Sequence, residues 1–139
     1  MGVRQLCGAS VIVYKDNKVL LQQRKDNRCW GYLGGYIEMG EIVEAAAKRE
    51  MFEESGLIAG ALNLFGVFSG PELHHTYPGG NEVHIIDIVY TCCEFGGVLK
   101  AQESEVLNLA WFDYDNIPES LSRTIRPALM RFIEVQRGL

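Results

Sequence analysis

One helix-forming segment constrains this chain more than any other. Ile42 to Ser55 contains good helix formers and neither Gly nor Pro, and Gly56 follows as a natural C-terminal stop. At about 100° per residue, Val43, Ala46 and Ala47 share one face, the face a helix turns toward a sheet. One turn later the same stripe meets Glu50, Glu53 and Glu54, so an apolar seam becomes a carboxylate cluster. Glu44, Lys48 and Ser55 fall on the opposite side, the expected solvent face.

The plain alternative is a solvated charged end of an amphipathic helix. Three features count against it. The carboxylates continue the core-facing stripe. They lie three and four residues apart, where like charges destabilise a helix; at about 6 Å and an effective dielectric of about 20 each pair repels by roughly 2.8 kcal/mol, falling below about 1 kcal/mol in full solvent. They also sit near the helix C-terminus, the unfavourable end for anions. A divalent cation relieves all three. Oxygen-only ligands select a hard ion, Mg²⁺ first and Mn²⁺ second. The alternating Asp/Asn loop of an EF-hand is absent. His74, His75 and His84 have no zinc spacing with the cysteines, and read as a loop pair and a strand residue without special role.

The flanking chain predicts a mixed α/β domain spanning residues 1–139, with helices packed on a sheet. Ala9 to Tyr14 and Val19 to Gln23 read as strands joined at Asp16-Asn17 in a hairpin. Trp30 to Tyr36 reads as a glycine-rich loop where backbone comes close to something. Further strands are expected over Ala61–Phe68, Val83–Cys93 and Leu107–Phe112; the second is an apolar run interrupted by His84 and Asp87. Gly70 to Asn81, with two Pro and three Gly, reads as a loop. Thr124 is positioned to cap a last helix that tolerates Pro127 in its first turn, and Ile125, Leu129, Phe132, Ile133 and Gln136 follow helical spacing, so that it buries one face.

The net charge of −5 and pI near 5.2 weigh against a stable nucleic-acid binder, which carries a basic face. They leave room for a phosphorylated small molecule, because a bound metal reverses local charge. No stretch is long and apolar enough to span a membrane, and the N-terminus resembles neither a secretory signal nor a myristoylation motif, which makes the cytoplasm the expected compartment. Cys7, Cys29, Cys92 and Cys93 form no CxxC pair and are expected as buried or half-buried free thiols, with Cys92 and Cys93 on opposite faces of a strand.

The run Gly35, five residues, Glu41, seven residues, Arg49-Glu50-Met51, one residue, Glu53-Glu54, one residue, Gly56-Leu57 resembles the Nudix box of the MutT-like Nudix hydrolases at all nine specified positions. Leu21 to Arg24 followed by Trp30-Gly31 is similar to the family's approach to that box. Trp111-Phe112 followed by Ile117-Pro118-Glu119 is similar to its C-terminal section. One departure is Leu33, where many members carry Pro. The resemblance implies an α/β/α sandwich with a mixed sheet, and a Mg²⁺-dependent hydrolase that cuts the diphosphate linkage of a nucleoside diphosphate joined to another moiety. It implies Glu50, Glu53 and Glu54 as metal ligands, with the Gly34 carbonyl as a further one. Arg49 would hold a box glutamate in place, and Glu41 would support the site from the start of the helix. For the base that takes a proton from the attacking water, Glu53 ranks first, Glu105 second and Glu103 behind them. The substrate is set outside the box: Arg24 is a phosphate contact to test, and Phe68 and Tyr77 are stacking groups to test. Pro71, fifteen residues past Gly56, is similar to a proline of ADP-ribose-cleaving members, which ranks ADP-ribose or a nucleotide sugar ahead of nucleoside triphosphates. A non-catalytic nucleotide sensor is the reading from another class; intact box glutamates and the lack of a second domain to control count against it. A homodimer is also consistent with the resemblance.

Overall fold

The computed structural model describes residues 2–138. In chain order the elements are β1 (Val3–Lys15), β2 (Lys18–Arg24), β3 (Trp30–Gly31), β4 (Leu33–Tyr36), α1 (Val43–Ser55), β5 (Leu57–Ala59), β6 (Asn63–Phe68), β7 (His74–Thr76), β8 (Glu82–Cys92), β9 (Phe95–Gly97), β10 (Val106–Asp113) and α2 (Arg126–Gln136). The main sheet runs β10-β2-β1-β8-β6, with β3 on β2, β4 on β1 and β7 on β8. β1 and β8 pair in parallel over Val3–Val13, and the other pairings are antiparallel, so the sheet is mixed. β5 and β9 form a separate two-stranded ribbon.

Strand alternation sorts the core into two layers. Ala9, Val11, Val13, Leu20 and Leu33 face α1, where Ala46, Ala47 and Met51 pack on them. Ile12, Val19, Leu21 and Val89 face the other way, onto Ala128, Leu129, Phe132 and Ile133 of α2. The result is the expected helix–sheet–helix sandwich. The predicted hairpin forms with Tyr14 opposite Val19, and Asp16 and Asn17 turn it at φ of 52° and 61°, the left-handed region that suits short polar side chains. Gly56 closes α1 at φ 76°, and its N–H donates to the Phe52 carbonyl. Among the described residues no helix is long and apolar enough to cross a membrane.

Several expectations need correction. Trp30 to Tyr36 is not a loop: two short strands take up its backbone, because β1 offers a free edge from Gly8 to Val11. Leu33, fully buried, lies opposite Val11 in that ladder, so pairing holds the segment where many relatives have a proline. Gly70 to Asn81 contains β7, paired with β8 at Glu82, Val83 and His84, which places His74 and His75 on a strand. Thr124 does not cap α2; the helix starts after Ile125 with no side-chain cap, and Pro127 sits in its first turn. Ser55 is buried rather than solvent-facing, because its hydroxyl donates back to the Met51 carbonyl at 2.5 Å and accepts the Leu57 N–H at 3.1 Å. Cys92 is buried and Cys93 exposed, on opposite faces as expected, but Cys7 is exposed as well.

Candidate functional site

The site grows from two glycines on β4. Ile37 N–H donates to the Cys7 carbonyl at 3.0 Å, and counting back along this antiparallel ladder makes Gly35 and Leu33 the bonded positions. Gly34 is the unbonded one. Its N–H points off the sheet edge and donates to Glu54 Oε1 at 2.8 Å, and by strand geometry its carbonyl faces that same edge. Neither glycine tolerates a side chain. A Cβ on Gly34 would lie 2.3 Å from Ser10 Oγ, and one on Gly35 would lie 2.4 Å from the Glu50 carboxyl carbon. The backbone comes close to something, as expected: a β1 hydroxyl on one face and an α1 carboxylate on the other.

From α1, three carboxylates converge on this edge to different degrees. Glu54 is buried, and burial pushes its carboxyl up to about 8 despite hydrogen bonds from Gln22 and the Gly34 N–H. Glu50 is half-buried; burial raises its carboxyl in spite of Arg49 beside it. Glu53, at the margin of the stripe, stays largely in solvent.

Arg49 organises the group. Its Nε donates to Glu41 Oε2 at 2.6 Å and its Nη2 to Glu41 Oε1 at 3.0 Å, a two-pronged grip across eight residues. Nη1 donates to Glu50 Oε1 at 2.8 Å and lies 3.3 Å from Glu53 Oε2. The guanidinium, with help from the Glu38 N–H, pulls the Glu41 carboxyl down to about 2. Glu41 therefore anchors Arg49, and Arg49 holds Glu50 and Glu53. Among the described residues no three His, Cys, Asp or Glu side chains are gathered as a preformed metal group, and the guanidinium stands between Glu50 and Glu53. The donor set still suits a hard cation. It is all oxygen, and its most buried member, Glu54, is a carboxylate whose burial outweighs its hydrogen bonds and the charge of Arg24.

Glu105 precedes β10, and its backbone carbonyl accepts the Lys25 N–H at 3.0 Å. Its charge acts on both Glu50 and Arg24, which puts it on the site side of the molecule. Glu103 shows a backbone contact, its carbonyl accepting from the Lys25 ammonium.

On the far side of Gly34 and Gly35 opens a cavity of about 430 Å³. Arg24 and Tyr77 line it; Phe68 does not. Phe68 stacks on Phe65 at 6.0 Å beside α2, so it serves the core. Arg24 is already gripped by Asp26 through two 3.1 Å bonds, which keeps it charged but partly neutralised. Other lining groups escaped the sequence reading: Ser10, Tyr32, Tyr36, Arg123 and Asp87. For Asp87 a signal existed, since it is a charge interrupting an apolar strand.

Known proteins agree with this architecture. The chain aligns with an ADP-ribose pyrophosphatase of Methanocaldococcus jannaschii at 41% identity over 111 residues, covering 78% of this chain and 62% of that protein, so it spans under two thirds of that relative. It aligns with an oxidized purine nucleoside triphosphate hydrolase of Danio rerio at 32% identity, covering 79% and 67%. Its fold matches the crystal structure of a MutT NUDIX hydrolase from Burkholderia pseudomallei with a TM-score of 0.79 at 28% identity, over 91% of this chain and 96% of that one. The model of the NUDIX domain matches residues 5–132, nearly the whole sequence, and this chain belongs to the NUDIX family.

Proposed function

We propose that this protein hydrolyses the diphosphate linkage of a nucleoside diphosphate joined to a second moiety, with ADP-ribose or a nucleotide sugar as the first substrate class. One observation carries the reading: the acidic end of α1 and the 430 Å³ cavity meet at the same two side-chain-free residues, Gly34 and Gly35. A diphosphate lying across them reaches the carboxylates while its nucleoside occupies the cavity.

In this reading Glu50, Glu53 and Glu54 hold a divalent cation, Mg²⁺ or Mn²⁺, together with the Gly34 carbonyl on its open edge. When bound, the cation neutralises phosphate charge and polarises the phosphorus centre. Glu41 anchors Arg49, and Arg49 would keep Glu50 and Glu53 within reach of such an ion. Water attacks phosphorus, the bridging P–O bond breaks, and two phosphate monoesters leave. Glu53, half in solvent beside Arg49, takes the proton from the attacking water. Glu105, whose charge acts on Glu50, is the second candidate for that role.

The ranking of ADP-ribose leans on the name of the Methanocaldococcus relative. The Danio rerio relative favours nucleoside triphosphates as the second reading. A panel of ADP-ribose, sugar nucleotides and nucleoside triphosphates, assayed with Mg²⁺ or Mn²⁺, separates them. ADP-ribose should yield monophosphates that a coupled phosphatase converts to free phosphate, and excess chelator should abolish the signal. Full activity in chelator sinks the metal assignment. Folded protein that cleaves nothing in the panel sinks the hydrolase.

A further inference from the structure

The cavity has a floor made by three neighbouring strands. Gly8 and Ser10 on β1, Gly34 and Tyr36 on β4, and Ile85 and Asp87 on β8 present one face. α2 covers the adjoining part of that face through Ile12 and Val89, and the cavity begins where this cover ends.

Asp87 is an unusual group to find there. It is 6% exposed, and only Glu54 among the other described carboxylates is buried like it. Ser10 Oγ donates to its Oδ1 at 2.7 Å and Tyr32 Oη donates to its Oδ2 at 2.8 Å. An ionised carboxylate offers about four lone-pair sites, so two hydroxyls leave each oxygen able to accept again. Gly8 keeps one of them open: a Cβ there would stand 3.3 Å from Oδ1. The proposed diphosphate chemistry makes no use of this carboxylate, and an anion beside a phosphate subsite repels the substrate unless something attracts another part of it.

Geometry identifies that part. Gly34 turns its N–H and carbonyl off the open edge of β4, while Asp87 lies across β1 from it, reached through Ser10; with strands about 4.8 Å apart, a phosphate held beyond that edge stands roughly 10 Å from the Asp87 carboxylate. A nucleoside extends about that far from its 5′-phosphate. The sides of the cavity are flat: the Tyr36 and Tyr77 hydroxyls meet at 3.1 Å, and His75 packs edge-on to Tyr77 at 4.6 Å. An accepting carboxylate close to Tyr36, Tyr77 and His75 suits a planar group with an N–H donor on its far edge.

We propose that Asp87 is a specificity-determining residue, accepting a hydrogen bond from the exocyclic amino group of the substrate's base and thereby selecting amino-bearing bases over their oxo counterparts. Ser10 and Tyr32 position it. The inference rests on the nucleotide reading of the cavity, but not on hydrolysis.

A purely structural Asp87, tying β1, β8 and Tyr32 together, would change stability without changing preference, so the test reads a ratio. Binding of AMP against IMP and of CMP against UMP is measured by calorimetry on wild type, Asp87→Asn and Gly8→Ala. In at least one pair the amino-bearing member should bind about ten- to a hundredfold tighter, the span expected for a hydrogen bond to a charged group. Asp87→Asn should bring that ratio to within about twofold. Gly8→Ala, which crowds Oδ1 and leaves the carboxylate in place, should reduce it and supplies the answer if Asp87→Asn does not fold. Wild type that binds neither pair, or binds both members of each alike, overturns the proposal, as does a preference that survives both variants. A ribo-over-deoxy preference erased by Asp87→Asn, in place of the amino preference, assigns the carboxylate to the sugar and also overturns it. Monophosphates contain no diphosphate linkage to cleave, so a protein that hydrolyses no diphosphate yet shows this loss of preference keeps the present proposal and loses the hydrolase.

Discussion

The two helices bury their stripes at the same spacing and end them differently. In α2, Ala128, Leu129, Phe132 and Ile133 are buried, and the position eight residues past Ala128 is Gln136, which leaves the protein for solvent. In α1, Ala46, Ala47 and Met51 are buried, and the position eight residues past Ala46 is Glu54, which does not leave. α2 is a packing element through its whole length. α1 packs for two turns and then spends its last turn holding a carboxylate against the Gly34 N–H. The carboxylates therefore sit on the α1 face of the sheet, and α2 with the cavity beside it on the other; mutations on the two helices should separate proton transfer from packing.

The largest separation is expected at Glu53. Its side chain is 46% exposed and touches Arg49 at 3.3 Å, so Glu53→Gln should leave the fold and its melting temperature nearly unchanged. Turnover should drop about 10²- to 10⁴-fold if it accepts the proton. Glu105→Gln is the matched control. Near-normal turnover in folded Glu53→Gln, with the loss found at Glu105→Gln, moves the base to the loop before β10.

Phe132 is the mirror case on α2. It is 1% exposed and meets Tyr14, Phe65 and Tyr114 at centroid distances of 5.1, 5.8 and 6.0 Å. Phe132→Ala should cost about 3–5 kcal/mol of stability. Turnover per folded molecule, measured well below the lowered Tm, should hold. A matching loss of turnover would mean that α2 shapes the cavity beside it and that packing and chemistry are not independent.

How much of this was legible in the sequence follows from the range of the interactions. Elements set by neighbours were readable: the Asp16-Asn17 hairpin, and α1 stopped by Gly56. So was the conflict in α1, because a 3.6-residue period projects Glu54 onto the buried face without knowledge of the partner. The same projection put Glu53 in the cluster, but at the margin of the stripe a small rotation decides burial, and it lies outside. Ser55 was misplaced because a serine hydroxyl can satisfy itself on its own helix and then be buried. β4 and β7 were read as loops because their partners are distant in sequence: Gly35 pairs with Ala9, and His75 with Val83. Phe68 and Asp87 show the limit most directly. They are partners in the β6–β8 ladder, yet Phe68 serves the α2 core and Asp87 the cavity. Where α2 ends over the sheet decides between these uses, and no local pattern carries that boundary.

The smallest effect, and the one that tests the comparison of helices directly, is a pH slope. Gln136 has no counterpart to the cost of burying Glu54. The folded-state carboxyl of Glu54 is pushed up to about 8, against an unfolded value near 4.3. Between those values the folded protein holds a proton that the unfolded chain has released. Stability is therefore full below the unfolded value and is lost as pH rises through the folded one. The loss should be on the order of 2 kcal/mol once relaxation and water penetration reduce the full shift. Glu54→Gln keeps the shape and an acceptor for the Gly34 N–H, so in chelator its Tm should decline less than that of wild type between pH 5 and pH 8. Added Mg²⁺ should restore wild type at pH 8 and do little for the variant, because the cation supplies the charge that the site lacks. Parallel Tm curves for the two proteins would show that Glu54 is buried at no cost, and would remove the strain argument that first marked the end of α1 as a site.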